Sequence, residues 1–236
     1  VLYTNFKAQR SLVGLRIGVI GTPSSWLIAS NVDYLLAKRR WGIEYLDIPL
    51  ERIYDVYDRI KDNEVGASCA AVASQALACR EGTPEDMIKA MRLYRAIKRI
   101  CKEEKLSAVT VSCFKLIERT GTTGCLALAM LNDEGIIAGC EGDLQSVFTL
   151  LVAKALTGKV GFMANPSMIN ARNNEIILAH CTRRCHHCEM WWRMPGRILP
   201  VYRNSDRKHQ LHQYVPYTST CKDEYTGRLF PEKPTG

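Results

Sequence analysis

The sequence alternates short β-branched runs with longer helical patterns, and this alternation restricts the fold more than any other feature. Residues 15–21 (LRIGVIG) form an apolar run that ends in a Gly-Thr-Pro-Ser-Ser turn, and a helix is expected over residues 27–39. Residues 43–48 are typical of the next strand, and a proline then opens a helix over residues 49–61. This order predicts an α/β fold with a Rossmann-like parallel sheet flanked by helices and joined by right-handed crossovers.

The centre of the chain contains a strong helix start after an Ala- and Cys-rich segment, residues 64–82, that is also expected to be helical. In Thr83-Pro84-Glu85-Asp86, the threonine can accept early amide hydrogen bonds, the proline fits the first helical position, and the acids favour the positive helix end. Apolar residues then recur at helical spacing: Met87, Met91, Tyr94, Ile97 and Cys101. We interpret this stripe as core rather than as a binding surface.

A buried strand is expected at residues 107–113 (SAVTVSC), followed by a loop over residues 114–124 and a helix over residues 123–132. The loop carries hydroxyls and cations: Lys115, Arg119, Thr120, Thr122 and Thr123. Such side chains after a strand are suited to a polyol, but they are equally typical of a solvated loop. The sequence alone favours neither interpretation.

Residues 135–181 read as strand, helix, strand, polar turn and strand, with polar side chains where the strands end. Glu141 and Asp143 follow the first strand, Asn165 follows the second, and His180 closes the third. In open α/β sheets ligands bind outside the carboxyl ends of the strands, so this pattern predicts a site. Taken singly, Asn165 is equally typical of a turn, and His180 of a core histidine.

Two further alternatives concern the acidic pair. Glu141 follows an apolar strand, so its carboxylate is either partly desolvated and functional, or paired with Lys154 or Lys159, or simply solvated. Asp143 is expected to cap the next helix by accepting its free amide hydrogens.

Together these blocks resemble a known family. Cys-Glu-x-Asp, Phe-Met-Ala-Asn and His-Cys occur in that order within residues 109–182, and a second matching stretch covers residues 14–55. They resemble the L-fucose isomerase-like group, which shares its fold with L-arabinose isomerases. The resemblance implies Rossmann-like domains followed by a C-terminal β-rich domain, a homo-oligomer, and a metal-dependent aldose–ketose isomerase that uses Mn²⁺ or a similar divalent metal on a monosaccharide.

The resemblance also assigns roles to residues. Glu141 falls on the catalytic glutamate that binds the metal, Asn165 falls on a second catalytic and metal-binding position that is an aspartate in L-fucose isomerase, and His180 falls on a histidine near the metal. A divalent cation polarises the sugar oxygens and stabilises an enediolate, and oxygen ligands with an imidazole suit Mn²⁺.

The amide of Asn165 is the point of disagreement with the family, because an amide cannot act as a base near neutral pH. Asp143 and Glu134 are the nearest carboxylates in sequence that could substitute. An intramolecular oxidoreductase is favoured, and a non-catalytic sugar-binding α/β protein is the alternative.

The chain changes character near residue 182, which suggests the division 1–134, 135–182 and 183–236. The first is a Rossmann-like α/β domain, and the second is an active-site β-α-β-β segment leading into the start of an incomplete second domain. The third is an atypical basic tail, with ten Lys/Arg, five Asp/Glu and five of the nine prolines, and disorder is one interpretation. A shifted reading frame or a truncated gene would explain such a tail.

The same region contains cysteines and histidines that could bind a metal cluster instead. Cys181, Cys185 and Cys188 have the spacing of an iron–sulfur motif, and with His186 and His187 they could instead hold zinc. Spacing without a surrounding fold is a weak signal, so a metal-cluster protein is the third hypothesis.

Composition excludes several classes. The net charge is +8, but residues 1–181 carry only +3, which argues against a nucleic-acid surface. No apolar run approaches the length of a membrane span, and no signal peptide is visible, so a cytoplasmic protein without a membrane partner is expected. Six of the ten cysteines lie scattered inside apolar segments, where reduced thiols pack as small hydrophobes.

Overall fold

The computed structural model describes residues 2–75, 83–170, 175–180, 192–194, 197–199 and 225–228. The helices are α1 (Leu2–Leu12), α2 (Tyr34–Trp41), α3 (Leu50–Arg59), α4 (Asp62–Gln75), α5 (Pro84–Glu103), α6 (Cys113–Thr120), α7 (Cys125–Asp133) and α8 (Leu144–Thr157). The strands are β1 (Arg16–Ile20), β2 (Glu44–Ile48), β3 (Ala108–Val111), β4 (Ile137–Gly139), β5 (Asn165–Asn170), β6 (Glu175–Ala179), β7 (Trp192–Met194), β8 (Arg197–Leu199) and β9 (Tyr225–Arg228).

Four of these strands form a parallel sheet in the order β2-β1-β3-β4. In β1, Ile17 lies opposite Tyr45 of β2 and opposite Ala108 of β3, so the register is continuous across the sheet. Strand β2 lies on one side of β1, and β3 and then β4 lie on the other. The carboxyl ends of all four strands lie at the same edge of the sheet. The predicted α/β fold with a parallel sheet flanked by helices is confirmed.

Side chains that alternate along the strands form two core layers, one on each face of the sheet. On one face, Ile17, Ala108 and Ile137 pack against helices α1 and α8. On the other face, Val109 and Ala138 belong to a larger cluster that includes α3, α5 and α7. The methionine stripe of α5 lies in this larger cluster, as predicted: Met87, Met91, Tyr94, Ile97 and Cys101 are all buried.

Helix α5 begins where the sequence predicts. The Thr83 side chain accepts a hydrogen bond from the Asp86 amide, and the Asp86 carboxylate accepts one from the Thr83 amide, with Pro84 in the first turn. This reciprocal pair satisfies two amide hydrogens that a helix start otherwise leaves free. Pro49 likewise immediately precedes α3.

In two places a helix boundary differs from the sequence prediction. The helix expected over residues 27–39 begins only at Tyr34, because Asp33 accepts the Leu36 amide hydrogen bond and caps it there. The loop expected over residues 114–124 is largely helix α6, which ends at Gly121 in a left-handed conformation. In both cases a cap, rather than hydrophobic periodicity, sets the helix boundary.

Strand β4 lies at the edge of the parallel sheet, and a side chain replaces the missing neighbour. The Ile137 amide donates to Ser107, so Ala138 faces away from β3. The buried Asn132 side chain, at the end of α7, donates from Nδ2 to the Ala138 carbonyl at 2.8 Å and accepts the Ala138 amide at Oδ1 at 2.9 Å. A single carboxamide thus completes the hydrogen bonding of the strand that precedes Glu141.

Beyond α8 the chain leaves the parallel arrangement. Residues 160–164, expected as a strand, are not regular, although Val160 and Met163 still pack against the core. Strands β5, β6 and β9 form an antiparallel sheet in that order, and β7 pairs with β8. The predicted domain boundaries remain predictions.

None of the helices in the described part of the chain is long and apolar enough to cross a membrane. The cysteines described are reduced: Cys69, Cys101, Cys113, Cys125 and Cys140. All but Cys69 are buried, which agrees with the prediction that they pack as small hydrophobes.

Candidate functional site

The carboxyl ends of β1, β3 and β4 are drawn together by tight contacts between their loops. Gly21 has φ +83°, and a Cβ at this position would lie 2.7 Å from Ser112 Oγ. Gly142 has φ +69°, and a Cβ there would lie 2.7 Å from the Thr22 carbonyl oxygen. Both positions therefore need glycine, for conformation and for space. The result is a continuous surface formed by residues far apart in the sequence.

Glu141 lies at the centre of this surface and has an unusual backbone. Its φ is +65°, a left-handed conformation that is uncommon for residues other than glycine. The Glu141 carbonyl accepts the Ser24 amide at 2.9 Å, and Glu141 Oε2 accepts Trp26 Nε1–H at 3.2 Å. Lys154, one of the lysines suggested as its ion-pair partner, donates instead to the Gly135 carbonyl. Backbone strain of this kind is concentrated at functional sites.

Asp143 performs the structural role that the sequence predicts. Its side chain accepts hydrogen bonds from the Ser146 amide at 2.9 Å and from Ser146 Oγ at 2.7 Å, which caps α8. Ser30 Oγ also donates to it at 3.2 Å and accepts the Leu144 amide at 3.1 Å. The carboxylate is thus occupied by the helix start and by the loop that follows β1.

Glu134 does not substitute for the missing aspartate either. It precedes β4 and therefore lies at the amino end of that strand, away from Glu141. Its carboxylate accepts hydrogen bonds from Lys98 at 2.7 Å and from the Tyr94 hydroxyl.

The structure brings Asn165 and His180 to one end of the β5–β6 pair. Asn165 is exposed and begins β5, so the prediction that it follows a strand is wrong. It lies opposite Ala179 in the antiparallel register, and the buried His180 follows directly. The preceding Met163 approaches the parallel sheet, because a Cβ at Gly139 would lie 3.7 Å from its sulfur. Glu141 lies two residues after Gly139, and Asn165 lies two residues after Met163.

The donor chemistry of these residues suits a hard divalent cation, but the set is incomplete. Glu141 offers a carboxylate, His180 an imidazole and Asn165 an amide oxygen, which are ligand types used by Mn²⁺. In the part of the chain that the structure describes, no three His, Cys, Asp or Glu side chains cluster as a metal centre. The predicted cluster at Cys181, Cys185 and Cys188, with His186 and His187, lies outside the described residues.

Of the hydroxyls and cations expected in a polyol-binding loop, only Lys115 reaches this edge. Its Nζ donates to Thr22 Oγ1 at 2.7 Å. Arg119 contacts Asp58 at 2.5 Å, Thr120 donates to the Leu116 carbonyl, and Thr123 contacts a cysteine sulfur at 3.1 Å. Thr122 is buried, and its hydroxyl has no hydrogen-bond partner among the residues described.

A cleft of about 540 Å³ opens beside this surface, between the loop after β1 and the turn from β2 into α3. Its charged lining comprises Asp47, Glu51 and Lys115. Asp47 accepts a hydrogen bond from the Tyr34 hydroxyl at 2.6 Å. Partial burial, and then this bond to a carboxylate, raise the pKa of Tyr34, so the phenol stays protonated. Thr22 and Pro23 line this cleft, and the amide of the next residue, Ser24, donates to the Glu141 carbonyl.

Two aromatic residues that the sequence analysis missed complete the surface. Trp26 and Phe114 lie edge to face with their ring centroids 5.4 Å apart. They remain 57% and 40% exposed, respectively, beside Glu141. The available signal was a tryptophan at the end of the polar Gly-Thr-Pro-Ser-Ser-Trp stretch, just before the expected helix.

Comparisons with known proteins point to sugar isomerases. No protein-family model matches the chain. It is 32% identical over 178 residues to a sulfoquinovose isomerase of Clostridium sp. (strain MSTE9), covering 74% of this chain and 39% of that protein. It is 20% identical over 179 residues to the sulfoquinovose isomerases of Priestia aryabhattai and Priestia megaterium, covering 40% of each. The chain thus spans about two fifths of the length of these curated relatives.

Proposed function

We propose that this chain carries part of the active site of an aldose–ketose isomerase of the L-fucose isomerase-like type, with sulfoquinovose as the first substrate to test. The observation that carries this proposal is Glu141, a carboxylate held in a left-handed turn at the carboxyl edge of the sheet, in a chain 32% identical to a sulfoquinovose isomerase. This edge is where an α/β fold assembles ligand sites.

Glu141 is the proton-transfer group in this proposal. Its carboxylate takes the proton from C2 of the open-chain aldose, and the electron pair of that C–H bond forms the C1–C2 double bond of an enediol as the C1 carbonyl oxygen gains a proton from solvent. Glu141 then returns its proton to C1 while the C2 hydroxyl loses its proton to solvent and becomes the ketose carbonyl, so atoms and electrons balance. General acid–base catalysis by a positioned carboxylate contributes about 10²–10⁴-fold.

Asn165 and His180 act on the sugar oxygens and on the metal. The amide of Asn165 can donate to a sugar hydroxyl or offer its oxygen as a ligand, and the imidazole of His180 is a ligand for Mn²⁺ or a similar cation. A bound divalent metal would polarise the carbonyl and the adjacent hydroxyl. We propose Glu141, Asn165 and His180 as members of this ligand set, in a homo-oligomer.

The activity test compares the full chain with Glu141→Gln on sulfoquinovose and on L-fucose, with Mn²⁺ present, by following ketose formation. We expect turnover by the unaltered chain and a loss of about 10²-fold or more in the variant. Lys154→Gln is the control, because Lys154 contacts Gly135 rather than Glu141. Equal rates for the chain and Glu141→Gln would refute the role of this carboxylate.

Metal binding by these residues can be measured separately from turnover. Isothermal titration of Mn²⁺ into the full chain should show saturable binding that weakens at least tenfold in Glu141→Gln and in His180→Ala. Identical isotherms for the chain and both variants would exclude these residues as ligands. Because no sugar is present, this result is independent of turnover.

Asn165 stands where the resemblance expects an aspartate, and an amide cannot act as a base. This favours a second candidate function, that of a non-catalytic sugar-binding protein. If the chain binds sugar without turnover, Asn165→Asp should introduce isomerisation, because it restores a carboxylate where the resemblance expects one. Turnover by the unaltered chain would remove this alternative.

A further inference from the structure

The carboxyl ends of three neighbouring strands hold an aromatic pair directly beside the proposed catalytic carboxylate. Trp26 belongs to the loop after β1, Phe114 is the second residue of α6 after β3, and Glu141 follows β4. Since β1, β3 and β4 are adjacent in the sheet, the three side chains share one surface. We propose that Trp26 and Phe114 form the wall on which the apolar face of the sugar rests, and that Trp26 also positions Glu141; this inference rests on the proposed function.

The exposure of the two rings supports a ligand-facing role. Trp26 is 57% exposed and Phe114 is 40% exposed, although they contact each other edge to face at 5.4 Å. A neighbouring aromatic pair therefore leaves much of its apolar area in water at the edge where ligands bind. Sugars present a C–H face beside a rim of hydroxyls, and binding sites combine apolar walls with a few placed polar groups.

The indole hydrogen bond determines how Glu141 faces this wall. Trp26 Nε1–H donates to Oε2 at 3.2 Å. An indole N–H is a donor only, so its hydrogen bond fixes one of the two carboxylate oxygens. In the part of the chain that the structure describes, no protein group donates a hydrogen bond to the other oxygen. It is therefore directed to the substrate in this proposal.

The loop that carries Trp26 is fixed on both sides of the ring. The Ser24 amide donates to the Glu141 carbonyl at 2.9 Å, and the Ser30 hydroxyl contacts Asp143 at 3.2 Å. Trp26 lies between these two anchors, so the indole moves with the turn that holds Glu141. A sugar binding against the ring would thereby be placed relative to the carboxylate, which is the requirement for proton transfer.

Steady-state kinetics can separate the positioning of Glu141 by Trp26 from the contact of the aromatic wall with the sugar. Trp26→Phe keeps an aromatic ring but removes the N–H group, so kcat should fall about tenfold while KM changes by less than about twofold. Phe114→Ala removes part of the wall, so KM should rise about tenfold. Trp41→Phe is the matched control: Trp41 packs on Phe148, at a ring distance of 5.5 Å, outside this site. Equal kinetics for Trp26→Phe and Trp41→Phe would overturn the proposal.

A spectroscopic test does not require turnover. In ¹⁵N-labelled full chain, the Trp26 indole resonance, identified by its absence in Trp26→Phe, should shift in Glu141→Gln, because that substitution replaces the carboxylate that accepts the indole N–H. Millimolar sulfoquinovose should shift the Trp26 resonance more than the Trp41 resonance, with L-fucose as the second probe.

The two tests distinguish this inference from the proposed function. If no sugar is isomerised but the Trp26 resonance shifts with sugar, the isomerase proposal fails and the sugar-binding wall stands. If sugar is isomerised while the Trp26 resonance does not shift with sugar, the wall proposal fails and the isomerase proposal stands. If neither response occurs, both proposals fail.

Discussion

Replacing Asn132 by leucine should destabilise the chain strongly, although the two side chains have similar shapes. Asn132 is 3% exposed, and its carboxamide supplies both hydrogen-bond partners of the Ala138 backbone. Leucine leaves one buried amide and one buried carbonyl unpaired, at about 1–3 kcal/mol each. Part of this cost, about 1 kcal/mol, is offset by the more apolar side chain. We therefore expect a net loss of about 3 kcal/mol.

Urea unfolding followed by far-ultraviolet circular dichroism measures this loss. With a slope of about 2 kcal/mol per molar urea, the midpoint should fall by about 1.5 M. Ser74→Ala is the control, because Ser74 also donates to a backbone carbonyl at 2.8 Å but is exposed. It should change the free energy of unfolding by less than about 0.5 kcal/mol.

Amide exchange at Ala138 gives an independent measure of the same interaction. The amide should be protected in the unaltered chain and exchange much faster in Asn132→Leu. If Asn132→Leu lowered the free energy of unfolding by less than about 1 kcal/mol and left amide exchange at Ala138 unchanged, Asn132 would not be the substitute for a neighbouring strand.

Two further predictions concern glycine geometry and alkaline pH. Gly142→Ala should lower the free energy of unfolding by more than about 2 kcal/mol, because the backbone has φ +69° and the new Cβ would lie 2.7 Å from the Thr22 carbonyl oxygen. Gly158→Ala is the control: its φ is +72° but the space around it is open, so it should cost about 1 kcal/mol. Equal losses of unfolding free energy in urea would contradict the proposed clash. Burial raises the pKa of Cys101 from 9.0 to about 12 and that of Tyr45 from 10.0 to about 12. Both groups favour the folded state while protonated, so their contribution is fully present below about pH 9 and is lost as the pH rises towards 12. The Tm should therefore fall over this range, and less so in Tyr45→Phe; a Tm that is constant over this range would contradict this.

The sequence predicted the sheet and most helices because their signals are local. Alternating apolar runs specify the parallel strands, and the Thr83 capping pair marks the start of α5. The role of Asp143 as a helix cap was predicted for the same reason, since it depends on the three residues that follow it. Such signals need no knowledge of the tertiary structure.

The surface around Glu141 was only partly predictable. The acidic residue follows an apolar strand, so its position at the sheet edge could be inferred, but its left-handed backbone and its contact with Trp26 depend on loops that meet in space. Asn165 was misplaced because the apolar run before it predicts a strand, whereas residues 160–164 pack against the core without regular pairing.

The hydrogen bond between Trp26 and Glu141 joins residues 115 positions apart. Closing so long a segment is entropically unfavourable until the intervening strands have paired. The indole should therefore reach its final environment late in folding, after most of the helical signal has appeared. In a stopped-flow refolding experiment, the difference in tryptophan fluorescence between the unaltered chain and Trp26→Phe should report the last stage of assembly.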